Sequence, residues 1–72
     1  MTLAKAAAGI EYRIKDIVTD DEELEAFLFS LGCYEGEPIT VVRHMKGSCV
    51  VSIKDGRYNI DKNLAEAILI LP

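Results

Sequence analysis

The sequence predicts a mainly β domain, with five short antiparallel strands curled into a small barrel and one α-helix capping it. Three observations carry this. Apolar residues alternate along 10–17, 39–45 and 49–54, the period of a half-buried strand. One stretch, Thr19 to Leu31, repeats its apolar residues at helical spacing instead. Asp55-Gly56 is a strong two-residue hairpin signal between apolar runs. Five short strands in so small a chain favour curling, because closure removes exposed sheet edges.

The 72 residues form a single domain, 1–72, and half of them are hydrophobic. That composition favours a compact core over disorder. The formal net charge is −4 and the basic residues are scattered. With no Lys/Arg cluster to collect phosphates, no nucleic-acid binding is expected. An acidic surface also disfavours an anionic membrane, and no apolar run approaches a membrane span, so no direct membrane insertion is expected. The LAKAAAGI run is too weakly apolar for a secretory signal, which predicts a cytoplasmic protein with Cys33 and Cys49 as free thiols.

The alanine-rich segment 3–9 reads as one helical turn stopped by Gly9. In the first strand, Ile10, Tyr12 and Ile14 face one way and Glu11, Arg13 and Lys15 the other. Ile17 breaks that alternation, which predicts a bulge or bend near Asp16. The helix follows, with Leu24, Phe27, Leu28 and Leu31 as its apolar stripe. Asp20 is its expected N-cap, with Glu23 completing a capping box. Gly32 supplies the left-handed stop. Tyr34 to Pro38 is turn chemistry, and Pro38 fits an edge or the first position of a strand.

Strands are expected at Ile39–Met45, Cys49–Lys54 and Arg57–Asp61. Counting outward from Asp55-Gly56 sets Lys54 opposite Arg57, Ile53 opposite Tyr58 and Val51 opposite Ile60. For the preceding hairpin, a three-residue loop with Gly47 left-handed sets Val41 opposite Val51 and Ile39 opposite Ile53. It leaves Val42 and Val50 as an apolar pair on the outer face. Asp61 or Asn63 starts a single tight helical turn, and Ala67–Leu71 is a buried last strand.

Candidate chemistry is sparse. Cys33, His44 and Cys49 are the candidate metal ligands, but none falls in a C-x-x-C or H-x-x-x-H spacing. Cys49 alternates with core residues and His44 with Val42 on the outward face, so the structural reading is preferred and no metal or cofactor is expected. The acidic run 20–23 suits a helix N-terminus, where the dipole repels a cation. With one histidine and no nucleophile–base–orienter set, the chain is read as no enzyme. Two features suit partner binding. Phe29 falls off the helix stripe as an exposed aromatic, and Val42 and Val50, with Tyr34, offer an outer apolar surface. Spare apolar surface on so small a domain also leaves self-association open.

The order of motifs is G-x-x-Y-x-I-x-x-I (Gly9, Tyr12, Ile14, Ile17), a helix ending Leu31-Gly32, then Gly36, Ile39, Val41, Val42, and last Ala65, Ile68, Ile70. Over essentially the whole chain this resembles the FeoA family, small cytosolic proteins of bacterial ferrous iron transport. The resemblance implies an SH3-like barrel and an accessory role in ferrous iron uptake. The implied partner is the FeoB transporter, a membrane permease with a cytosolic GTP-binding region. It also implies kinship with the C-terminal SH3-like domain of iron-dependent repressors, and hence a metal-responsive module as the alternative. The chain departs from the family pattern at Phe27, where an arginine is common. It lacks the proline of L-G-L-x-P-G, reading Leu31-Gly32-Cys33-Tyr34-Glu35-Gly36, and its loop after the second strand is shorter.

Overall fold

The computed structural model describes residues 1–72. A 3-10 turn at Leu3–Lys5 precedes β1 (Glu11–Ile17), α1 (Glu22–Leu31), β2 (Pro38–Met45), β3 (Ser48–Ile53), β4 (Gly56–Asp61), α2 (Lys62–Ala67) and β5 (Ile68–Leu71). All five strands join one antiparallel sheet in the order β4-β3-β2-β1-β5. The fold is the small SH3-like barrel the sequence predicts. Its ladder is not closed, however, since β4 and β5 form the two edges and do not pair.

The core explains the strand pattern. Ile14, Ile39, Val41, Cys49, Val51, Ile53, Ile60, Ile68 and Ile70 are all buried, one face of each strand contributing every second residue. From α1 only Leu28 is fully buried, with Leu24 and Leu31 half-buried beside the core. Phe27, expected in that stripe, is 48% exposed. The contact face is narrow and centred on Leu28, and Phe27 lies roughly 100° round the helix from it. The first segment is more deeply engaged than an isolated turn. Leu3 is fully buried and Ala6 nearly so. Thr2 bridges to Leu69, and the Ile70 N–H donates to the Met1 carbonyl, so this segment lines the outer edge of β5.

Several local expectations are corrected. The α1 N-cap is Asp21, not Asp20, and its carboxylate accepts from the Glu23 and Leu24 N–H groups. With the cap one residue later, Glu23 is no longer at the third helical position and the capping box does not form. Ile10 is 52% exposed and precedes β1, because Gly9 turns the chain at φ 84° and donates its N–H to Val41. The bulge near Asp16 is present, between Ile14 and Asp16 against β5. Asp61 caps α2, accepting from the Leu64 N–H at 2.9 Å.

Both hairpins differ at the tip. The β2–β3 loop is two residues, Lys46-Gly47, yet Val41 faces Val51 and Ile39 faces Ile53 as the longer loop would give. A bulge at Val42 absorbs the difference. Val42 therefore has no cross-strand partner, and Val50 lies opposite Arg43 instead. In the β3–β4 hairpin the loop is Lys54-Asp55, with Lys54 at φ 50°, and Ile53 faces Gly56. Val51 thus faces Tyr58 and Cys49 faces Ile60, a slip of two residues. An even slip keeps every side chain on its expected face. Gly56 is required elsewhere than the turn centre, because the Tyr58 ring crosses it and leaves no room for a Cβ.

Candidate functional site: an aromatic groove

The end of α1 and the tip of the β3–β4 hairpin converge on one surface. Gly32 takes φ 100°, and its N–H and that of Cys33 cap the α1 carbonyls of Leu28 and Phe29. The turn then continues through Tyr34 N–H to Gly32 and Glu37 N–H to Tyr34. Arg13 fastens its far side by donating to the Gly36 carbonyl at 2.9 Å. This geometry returns Tyr34 to the helix it has just left. Its ring stacks on Phe29 with centroids 5.8 Å apart and planes 19° from parallel.

Lys54 completes the surface from the other side. Its ammonium lies 5.8 Å from the Tyr34 ring centroid and 3.2 Å from the Glu37 carboxylate. The exposed ion pair stabilises the fold little, about 0–1 kcal/mol, so its effect is to place the lysine stem against Gly32. Phe29, Leu31, Tyr34, Lys54 and Tyr58 line a groove of about 540 Å³. Phe29 is 39% exposed and Tyr34 49% exposed, so both stacked rings present part of their surface to water.

Of the four partner-binding candidates, the fold brings Phe29 and Tyr34 together. Val42 and Val50 do not line the groove, and each is half-buried on the sheet. Sequence reasoning missed Tyr58 and Lys54. The two-residue slip in their hairpin hid Tyr58, and the left-handed backbone of Lys54 has no side-chain signature.

Of the three metal-ligand candidates, the fold brings His44 and Cys49 together and leaves Cys33 apart. His44 is not simply outward-facing. The bulge at Val42 turns it to the side of Cys49, its cross-strand neighbour, and its Nε2 donates to the Ala6 carbonyl at 2.7 Å. His44 and Cys49 line a small cavity of about 150 Å³ with Met45 and Ser48, but Cys33 does not reach it. No group of three or more His, Cys, Asp or Glu is placed to hold a metal ion. Both thiols are free and buried. Burial pushes the Cys33 thiol up to about 11 and the Cys49 thiol up as well, which suppresses the thiolate that metal binding or redox chemistry needs. No helix is long and apolar enough to cross a membrane.

Comparison with known proteins agrees with this fold. The structure is similar to that of an iron uptake regulatory protein, FeoA, with a TM-score of 0.86 at 22% identity, covering 99% of this chain and 93% of that one. It is similar also to Stenotrophomonas maltophilia FeoA complexed with zinc, described as a prokaryotic SH3-domain protein and a candidate activating factor for ferrous iron transport. There the TM-score is 0.86 at 16% identity, covering 97% of this chain and 88% of that one. A manganese-dependent transcriptional repressor in complex with manganese shares the fold at TM-score 0.89 and 19% identity, covering 99% of this chain but 35% of the repressor. No curated protein matches the sequence. The family model for the FeoA domain matches residues 1–72 from end to end, and the chain belongs to the FeoA family.

Proposed function

We propose that this chain is a cytoplasmic, non-catalytic accessory protein of ferrous iron uptake, and that it acts by binding the cytosolic GTP-binding region of a FeoB-type membrane transporter. The family match over residues 1–72 carries the reading. The exposed Phe29–Tyr34 stack supports it, because rigid aromatics beside a groove are the usual anchors of a protein contact. Charge and chemistry are left to the partner, while this domain supplies shape and apolar area. The test is capture of the transporter's purified cytosolic domain by this protein, with and without guanine nucleotide. Binding in at least one nucleotide state is expected, and Phe29→Ser should weaken it by about tenfold or more with the circular dichroism unchanged. Absence of binding in every nucleotide state would defeat the reading.

The likeness of fold to the manganese-dependent repressor favours a second reading, a metal-responsive module. Titration with ferrous iron separates the two. Stoichiometric binding below millimolar concentration would favour the second, and no such binding is expected under the first.

A further inference from the structure

The two edges of the sheet are treated differently. The outer side of β5 is occupied by the first residues of the chain, through the Thr2 to Leu69 bridge and the bond from Ile70 to Met1. The outer side of β4 has no such cover, and its residues Arg57, Asn59 and Asp61 are exposed. The ladder to β3 shows where their backbone groups point. The Lys62 N–H donates to the Gly47 carbonyl, which continues the β3–β4 ladder one step beyond the pair Ser48 and Asp61. Hydrogen-bonded pairs alternate along an antiparallel ladder. The bonded positions of β4 are therefore Gly56, Tyr58 and Ile60, and Arg57, Asn59 and Asp61 direct their backbone N–H groups away from the sheet.

We propose that this edge pairs with the same edge of a second copy of the chain, antiparallel and centred on Asn59. The sequence of the edge is self-complementary in that register. Asn59 meets Asn59 of the other copy and the two exchange both backbone bonds. Arg57 of each copy then meets Asp61 of the other. Charged side chains on an edge strand usually keep copies apart. Here the two-fold axis sets opposite charges across from each other, the arrangement that stabilises a cross-strand pair. The Asp61 carbonyl belongs to the first turn of α2, so each flank contributes the Asp61 N–H to the Arg57 carbonyl. The interface is isologous and closes at two copies, so it does not propagate into a fibre.

Sedimentation equilibrium over a wide concentration range tests this. The wild-type chain of 8.0 kDa is expected to approach twice that mass as concentration rises. Arg57→Glu places like charges opposite each other twice and is expected to weaken association by about tenfold. Arg43→Glu, the same charge change on the central strand β2, is expected to leave it unaltered. In amide exchange, the Asn59 and Asp61 N–H groups should slow as the dimer forms, while the Arg57 N–H, which faces the occupied Asp61 carbonyl, should not. A chain that stays monomeric at millimolar concentration overturns the proposal. So does a dimer that Arg57→Glu leaves intact, or one in which the Asn59 and Asp61 amides exchange as fast as in the monomer.

Discussion

The Tyr58 ring lies directly over Gly56, two residues before it in β4, so closely that an added Cβ would come within 2.6 Å of the ring carbon Cζ. The glycine is therefore the floor on which one wall of the groove rests. Gly56→Ala is expected to displace the Tyr58 ring and to destabilise the fold by about 1 kcal/mol or more, since the ring must leave its packing position. Urea denaturation measures the loss, and tyrosine fluorescence reports the displaced ring. A variant with unchanged stability and unchanged fluorescence would contradict this account of Gly56.

The N-cap of α1 gives a sharp comparison between neighbours. Asp21→Ala removes the acceptor of two backbone N–H groups and should cost about 1 kcal/mol. Asp20→Ala touches no capping bond and should stay within about 0.5 kcal/mol of wild type. Thermal unfolding of the pair decides which aspartate holds the helix.

Leu3 is fully buried although it sits at the third residue of the chain. Leu3→Ala should cost about 2–5 kcal/mol, the range for emptying a packed leucine site. A loss that large would unfold much of a population of so small a domain. A change under 0.5 kcal/mol, read by urea titration, would show that the first segment is not part of the core.

The buried thiols predict a pH dependence with a definite sign. Burial raises the Cys33 thiol from the ordinary 9.0 to about 11 in the folded chain. Between those values the unfolded chain has lost its proton and the folded chain keeps it. Stability is therefore fully present below pH 9 and falls as pH rises from 9 to 11. Cys49 is shifted the same way and adds to the fall. At pH 8 the folded Cys33 should hold roughly a hundredfold less thiolate than a free cysteine, so alkylation should be slow until urea is added. Cys33→Ser should flatten the alkaline part of the stability profile.

The faces of the strands were legible in the sequence, while their exact partners were less so. Alternation places Val51, Ile53 and Ile60 inward whatever the hairpin register, which is why a slip of two residues left the core intact. The slip itself turned on Lys54 adopting a left-handed backbone, a choice that a non-glycine residue does not advertise. Leu3 was illegible for another reason. A few residues of 3-10 turn have no periodicity, and only the finished sheet offers them a place to bury. In the groove, Phe29 could be read from its angle on the helix. Its partner Tyr34 stacks on it because of the chain reversal at Gly32, a tertiary event.

The bulge at Val42 has a bearing on how this hairpin can vary. Because the surplus residue is stored within β2 and not at the tip, a homologous chain could lengthen its turn by one position and straighten the strand in exchange. Insertions and deletions would then trade places along the ribbon, leaving the orientation of Ile39 and Val41 untouched. Length at this point is a tunable coordinate, and a projecting finger of different reach can be grown without rebuilding the interior beneath it.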